Sequence, residues 1–246
     1  TDLWSLRKTP WENRRTLYQK TLTIAHRLHS FPTKDFPSGR VRLMEGFGPD
    51  LYHWERDYFK DQFVRGVCTI ELDPSFEQEL EAELSSLADR LAGTMRCLVH
   101  RDLQSQNIMI RHGEPLLIDF QGMRFGSPFY DLGSLLCDPY VNFSDRERDE
   151  LLSFYYRMER WDLNWATFQK YFWEASAQRL MQALGAYGFL GLKKGLKAYL
   201  KHIPAGLRDL RLAAAQVASL PRLLELSAKC QRARWLRFTR DNNFLY

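Results

Sequence analysis

The chain lacks the features that mark secreted, zinc-binding and membrane-spanning proteins. It has only four cysteines in 246 residues, the closest two are Cys68 and Cys97, and none forms a CxxC pair. Zinc ribbons and disulfide frameworks need closer or more regular spacing, so we expect reduced, mostly buried thiols in a cytoplasmic protein. No segment approaches the roughly 18 uninterrupted apolar residues of a membrane span. The first ten residues contain no apolar core of a signal peptide. We therefore expect a globular chain with no membrane partner.

The charge excess is also small. There are 35 basic and 30 acidic residues, a formal net charge of +5, and 45% of the residues are hydrophobic, which excludes a wholly disordered chain. The chain ends in an arginine-rich tail, which could bind nucleic acid or could be an amphipathic segment that packs its aromatic side chains inward. We favour the second interpretation. Its basic and aromatic residues are Arg232, Arg234, Trp235, Arg237, Phe238 and Arg240. Nucleic acid is therefore not an expected partner.

Helical periodicity dominates both ends of the chain, and no repeat or low-complexity linker divides it. The predicted helices cover residues 11–31, 50–64, 75–91, 145–159, 165–184, 207–220 and 221–236. Between residues 96 and 120 short apolar runs replace this pattern, and His112-Gly113-Glu114 is typical of a tight turn. We predict a mainly α fold with one small β-hairpin element, which carries the unusual polar residues.

The polar residues around this hairpin have the spacing of a phosphoryl-transfer site. His100-Arg101-Asp102 is followed five residues later by Asn107, and Ile118-Asp119-Phe120 comes after the hairpin. In such a site one carboxylate orients the acceptor hydroxyl and takes its proton, while an amide oxygen and a second carboxylate hold Mg²⁺ against the phosphates. The adjacent strands of a hairpin would bring Asn107 and Asp119 together.

These residues resemble the aminoglycoside phosphotransferase and choline kinase branch of the protein-kinase-like fold. Within that branch, the chain is most similar to bacterial cell-wall amino-sugar kinases, which phosphorylate N-acetylmuramate and N-acetylglucosamine. The segments that carry the likeness are Ile118-Asp-Phe-Gln121, Gly126, Tyr130-Asp-Leu-Gly-Ser-Leu-Leu136, Asp138-Pro-Tyr140, Gln178 to Leu190, and Lys201-His-Ile-Pro204. The resemblance implies an ATP- and Mg²⁺-dependent kinase acting on a hydroxyl of a sugar or amino sugar.

The resemblance also implies a role for each matching residue. Asp102 would be the catalytic base, and Asn107 and Asp119 would ligate Mg²⁺. His100, Arg101 and Asp131 would support the site, with Asp131 hydrogen-bonded to the backbone of the catalytic loop. The residues expected near the acceptor are Glu55, Gln121, Arg124 and Arg179.

A protein-kinase-like enzyme also needs a first lobe, with a phosphate-covering loop and a strand lysine. No glycine-rich strand pair and no apolar strand ending in lysine precedes the catalytic loop. We therefore expect residues 1–246 to be the C-terminal lobe, with a hinge remnant at 1–5, the catalytic loop and metal-binding hairpin at 96–120, and a helical substrate-side subdomain at 144–246. The N-terminal lobe of the same protein would be its partner. This chain alone would be inactive.

Two departures from the family pattern concern the site itself. Gly122 stands where the amino-sugar kinases usually carry an aspartate, and Gln104-Ser105-Gln106 lacks the basic residue that many phosphotransferases place in the catalytic loop. An antibiotic (aminoglycoside) kinase is the second interpretation. It ranks lower because the acidic residues cluster between 71 and 89, on a helix that is expected to face solvent. A non-catalytic, pseudokinase-type binding module is the alternative from another class, and the intact aspartates and Asn107 disfavour it.

Overall fold

A computed structural model describes residues 1–159 and 161–233, and helices form most of it. The eight α-helices of this part are α1 Trp11–His29, α2 Pro49–Phe59, α3 Pro74–Ala92, α4 Pro128–Leu136, α5 Asp145–Tyr156, α6 Trp165–Gly188, α7 Ile203–Ala215 and α8 Pro221–Arg232. The four strands are β1 Cys97–Val99, β2 Ile108–Arg111, β3 Glu114–Leu117 and β4 Arg124–Gly126. The mainly α fold is confirmed. The expectation for the arginine-rich tail lies, from Arg234 onward, outside the described residues.

Side-chain caps explain why two helices begin where the sequence predicts. The Asp73 carboxylate accepts the backbone N–H groups of Ser75 and Phe76 at the start of α3. Ser144 and Glu147 form a reciprocal capping box at the start of α5. Each cap satisfies backbone donors that the first turn of a helix leaves without partners.

The β structure consists of two small antiparallel sheets rather than the single hairpin that was expected. β2 pairs with β3, with Ile108 opposite Leu117, which confirms the predicted hairpin. β1 pairs with β4, which lies more than 20 residues further along the chain. The Leu3 N–H donates to the Ile108 carbonyl at 2.8 Å, so the beginning of the chain runs beside β2.

The helix α6 is the centre of the packing and contacts α2, α4 and α7. Its contact with α4 is close because Gly133 faces Ser176, where an added Cβ would lie 2.9 Å from the Ser176 Cα. The helix predicted over 207–220 is present but its bounds are wrong, since α7 begins at Ile203 and ends at Ala215. The helix α4 was not predicted, and α2 continues into a π-helical turn, Lys60–Arg65.

All four cysteines are buried, as the spacing predicts, and within the described residues they form no disulfide bond. Within residues 1–159 and 161–233, no helix is both long and apolar enough to cross a membrane.

Candidate active site

The loop between β1 and β2 is held at its beginning by one buried carboxylate. Asp131, in the first turn of α4, is fully buried. Its two oxygens accept the backbone N–H groups of His100 and Arg101, each at 2.7 Å. Arg101 has a left-handed backbone, with φ 76°. Because this region is costly for a side-chain-bearing residue, the two charge-assisted hydrogen bonds stabilise a turn that the loop would not otherwise keep.

Two histidines extend this support. The His100 ring donates through Nε2 to the Ile118 carbonyl at 2.9 Å, which ties the loop to the residue before Asp119. His29, on α1, lies with its Nε2 3.1 Å from an Asp131 oxygen, and its Nδ1 faces the Tyr155 hydroxyl at 2.7 Å. His29 was not predicted as a residue of the site, because a histidine on a helix far from the motif carries no local signal of this contact.

Asn107 and Asp119 lie on neighbouring backbone segments, and each has a side-chain oxygen that could bind a cation. The Asn107 amide donates through Nδ2 to the Asp102 carbonyl at 2.9 Å, so its Oδ1 is left as an acceptor. The Asn107 carbonyl accepts the Ile118 N–H at 3.0 Å, which brings the two segments together. Asp119 has a left-handed backbone (φ 59°) and is exposed. A hard cation such as Mg²⁺ prefers oxygen ligands of these two types, so the donor set fits this ion.

The Asp102 carboxylate is partly accessible to solvent. Its side chain is 34% exposed, and Arg179 of α6 donates to it through Nη2 at 3.1 Å. Arg179 is itself buried and is also held by Ser134 and Gln182. Burial lowers the pKa of the Arg179 guanidinium, but the neighbouring acidic groups, Asp102 first among them, together raise it above its usual value. The pair therefore fixes one oxygen of Asp102 and leaves the carboxylate open to a ligand.

Glu55 lies behind the catalytic loop, and its expected place near the acceptor stays a prediction. The side chain is fully buried. It accepts hydrogen bonds from the Tyr130 hydroxyl at 2.9 Å and from Gln178 Nε2 at 3.0 Å. Burial raises the pKa of the Glu55 carboxyl, against these hydrogen bonds and the Arg101 guanidinium 3.8 Å away. Glu55 thus connects α2, α4 and α6 behind the loop.

The other two residues expected near the acceptor differ in exposure. Gln121 is exposed, in a short 3₁₀ turn after Asp119. Arg124 is buried, donates through Nε to the Gly122 carbonyl at 3.0 Å, and lies over the Phe47 ring. Burial, and after it the neighbouring Arg101 guanidinium, lower the pKa of Arg124. The Gln121 side chain is accessible to a ligand. The Arg124 side chain is buried, so only its charge could act on a ligand.

A comparison with protein families identifies this arrangement. Residues 3–171, more than two thirds of the chain, match the phosphotransferase enzyme family. The chain belongs to this family. The match covers the catalytic loop, both residues of the expected metal site and the α4 carboxylate that holds the loop. The expected membership is therefore confirmed.

The chain is also similar to curated sugar kinases. It is 27% identical over 177 residues to an N-acetylmuramate/N-acetylglucosamine kinase of Neisseria meningitidis serogroup B, covering 70% of this chain and 53% of that protein. It is 26% identical over 183 residues to an enzyme of the same name from Pseudomonas aeruginosa, covering 71% and 53%. The chain spans about half the length of these curated relatives.

Solved structures give the fold. A choline/ethanolamine kinase family protein from Mesorhizobium loti superposes with a TM-score of 0.56 at 15% identity, covering 91% of this chain and 67% of that one. The gentamicin complex of APH(2″)-IIa gives a TM-score of 0.54 at 15% identity, covering 91% and 69%. The protein-kinase-like fold, and within it the helical lobe, is confirmed.

Proposed function

We propose that this phosphotransferase chain is the catalytic lobe of a kinase that transfers the γ-phosphate of ATP to a hydroxyl group of a sugar or amino sugar. One observation carries the proposal. The partly exposed Asp102 carboxylate, fixed by the buried Arg179, lies on the same loop as Asn107, whose backbone adjoins the segment of Asp119. This is the set of groups that phosphoryl transfer requires, since the protein supplies positioning and charge and little covalent chemistry.

Asp102 is the general base in this proposal. One of its oxygens is held by Arg179, so the other is free to accept a hydrogen bond from the acceptor hydroxyl and then its proton. The hydroxyl is oriented toward the phosphate by the same contact. A well-placed base of this kind contributes about 10²- to 10⁴-fold to a rate. Arg101, with an Nη1 4.0 Å from the carboxylate, keeps a second positive charge nearby.

Mg²⁺ would be held by the Asn107 Oδ1 and the Asp119 carboxylate. The ion supplies charge neutralisation for the phosphates when it is bound. Nothing in the described part of the chain competes for the Asn107 oxygen, because the amide nitrogen of that side chain makes the contact with the loop backbone. ATP use is supported by the solved ternary complex of streptomycin, ATP and APH(2″)-IIa, which shares the fold with a TM-score of 0.53.

The charges beside Asp102 support a sugar acceptor over a polycationic antibiotic. Arg101, Arg124 and Arg179 bring three positive charges close to the carboxylates of Asp102 and Glu55, and the Asp119 carboxylate would be neutralised by Mg²⁺ in this proposal. These positive charges disfavour an aminoglycoside and tolerate a neutral or anionic sugar. Both curated relatives carry the name of an amino-sugar kinase.

The acidic helix α3 does not supply the negative charge beside Asp102 that a polycationic antibiotic would need. Its carboxylates contact basic side chains or backbone N–H groups of other elements. Glu81 contacts Lys60 at 3.0 Å, Glu77 contacts Arg65 at 2.5 Å, and Glu83 accepts backbone N–H groups at the start of α8. These contacts keep the acids of α3 away from Asp102. The antibiotic kinase therefore remains the second interpretation.

We further propose that an N-terminal lobe of the same protein completes the nucleotide site. The chain spans only about half the length of its curated relatives. Three large apolar side chains beside the catalytic loop, Leu116, Ile118 and Phe120, are 48%, 40% and 63% exposed. Water contact at such a cluster is unfavourable, and a docked lobe with its nucleotide would remove it. The four buried cysteines form no disulfide bond in the described part of the chain, which fits the reducing cytoplasm, where we place the enzyme.

The test is phosphorus NMR of Mg²⁺-ATP with the protein produced from its full reading frame. The panel contains N-acetylmuramate, N-acetylglucosamine, simple hexoses and an aminoglycoside. We expect a new sugar-phosphate signal that disappears in Asp102→Asn and persists in Asp149→Asn, an exposed aspartate of α5. Phosphorylation of the aminoglycoside alone would favour the second interpretation. Bound Mg²⁺-ATP without turnover of any acceptor would favour a non-catalytic module.

A second arm tests the lobe. The 246-residue chain alone should bind nucleotide weakly and transfer no phosphate, because the phosphate-covering loop and strand lysine of this fold would be absent. Robust turnover by the chain alone would contradict this part of the proposal.

A further inference from the structure

A second buried carboxylate contacts the catalytic loop, and the sequence analysis assigned it no role. Asp138 directly follows the C-cap of α4 and is fully buried. Its Oδ2 accepts both the backbone N–H of Ser105 at 2.8 Å and the Ser105 hydroxyl at 2.5 Å. Its Oδ1 accepts the Tyr140 N–H at 2.9 Å. Ser105 is also fully buried, so this contact is shielded from water along its whole length.

The position of Asp138 is costly for a carboxylate. The C-terminal end of a helix carries partial negative charge, which disfavours an acid there. Burial raises the pKa of Asp138, against the hydrogen bonds from Ser105 and Tyr140 and the more distant Arg179 charge. Its contacts among the described residues are hydrogen-bond donors, with no ion pair. A buried acid without a paired cation stays charged only when its hydrogen bonds offset the loss of hydration. Two of the three come from the catalytic loop.

The contact falls between the two functional residues of the loop. Ser105 begins the 3₁₀ turn Ser105–Asn107, and the Asn107 N–H donates to the Gln104 carbonyl at 2.8 Å. Asp131, at the other end of α4, holds the two residues before Asp102. The two ends of one helix therefore fix the loop at two separate points, one before Asp102 and one before Asn107.

We propose that Asp138 is a positioning residue, which acts through Ser105 to set the place of Asn107 and hence of the metal ion. The inference rests on the proposed function, since it assigns Asn107 to the metal. Loss of a group that orients a metal ligand from behind typically costs 10- to 100-fold in metal affinity or activity. Asp138 would then matter to Mg²⁺ and leave the acceptor largely unaffected.

The variants are Asp138→Asn and Ser105→Ala, with Asp209→Asn as the matched control. The asparagine keeps the size of the side chain but replaces one acceptor oxygen with a donor. The alanine removes the hydroxyl contact and retains the one from the backbone N–H. Asp209 is also a buried aspartate with a raised pKa, but its partner is Arg208 of the same helix, α7.

Two readouts are taken on the protein from the full reading frame. We expect faster hydrogen exchange at the amides of residues 103–107 in Asp138→Asn and, less, in Ser105→Ala, with no change there in Asp209→Asn. We also expect the Mg²⁺ concentration for half-maximal activity to rise about 10- to 100-fold in Asp138→Asn, with the acceptor KM changing less than threefold. If Asp138→Asn does not fold, the same two measurements on Ser105→Ala decide the question.

Unchanged exchange at these amides in a folded Asp138→Asn protein would overturn the positioning role. Equal effects of the Asp209 control on Mg²⁺ dependence would overturn it as well, because the effect would then be one of general stability. Absence of phosphate transfer by the wild-type protein with every acceptor is a different result. That outcome contradicts the proposed function, and the exchange data still show whether Asp138 holds the loop.

Discussion

Replacing Asp131 by asparagine tests how the catalytic loop keeps its shape. The change preserves the size of a fully buried side chain and leaves one carbonyl oxygen where two carboxylate oxygens accept hydrogen bonds. In one amide orientation the new NH₂ group faces the N–H of Arg101, and in the other it faces that of His100, so one backbone donor is left without an acceptor. The His29 contact is disturbed in the second orientation.

The cost follows from these contacts. A hydrogen bond to a charged group contributes about 1.5–3 kcal/mol, and an unsatisfied buried donor costs about 1–3 kcal/mol. Arg101 also sits at φ 76°, a conformation that persists only while its surroundings impose it. We expect Asp131→Asn to lower the free energy of unfolding by about 3–5 kcal/mol, a large part of the 5–15 kcal/mol typical of a domain.

The assay is urea unfolding of the 246-residue chain followed by circular dichroism, with the exposed Asp149→Asn as control. For a chain of this size about 2–4 °C of melting temperature corresponds to 1 kcal/mol, so a thermal scan should show a drop of roughly 6–20 °C. A loss below about 1 kcal/mol, or an equal loss in Asp149→Asn, would refute the reasoning. The loop would then keep its shape without the carboxylate.

Three further predictions follow from the packing and charge of the site. Burial raises the pKa of the Glu55 carboxyl, so the wild-type protein loses free energy of unfolding as pH rises above 4.5 and this acid ionises. Glu55→Gln should therefore gain stability relative to wild type over this pH range in urea titrations. The opposite trend would contradict this prediction. Gly133→Ala should lose about 1–3 kcal/mol by overpacking at 2.9 Å from α6, while Gly39→Ala, with open space around it, should stay within about 0.5 kcal/mol. Arg179→Gln should lower kcat about 100-fold by freeing Asp102, with partial recovery in the lysine variant; a change in acceptor KM alone would place Arg179 on the substrate instead.

The parts of the site that sequence reasoning found are those whose signal is local. His100-Arg101-Asp102, Asn107 and Asp119 stand in one short stretch around a hairpin, and turn residues mark that hairpin. The helix α4 carried no such signal. All nine of its residues are buried, so it has no polar face and no helical period to read. The pairing of β1 with β4 joins strands of three residues each, too short and too far apart in sequence to be matched by pattern.

The charged residues of the interior were the hardest to interpret. Glu55 and Arg179 each lie on a helix, where a single charge is usually solvated, and only the fold shows that Glu55 is buried and that Arg179 reaches Asp102. The contact of Asp138 was still harder to predict, because its partner Ser105 lies 33 residues earlier in the chain. Such contacts depend on how α2, α4 and α6 pack, and packing is not encoded in local spacing.

The most direct test of the phosphoryl-transfer site compares wild type with Asp102→Asn in the protein from the full reading frame. Mg²⁺-ATP affinity and turnover of the sugar acceptor identified by NMR are measured on the same samples. We expect turnover to fall by about 10²- to 10⁴-fold while nucleotide affinity changes little, since Asp102 acts on the acceptor hydroxyl. Turnover that persists at the wild-type level in Asp102→Asn would contradict it.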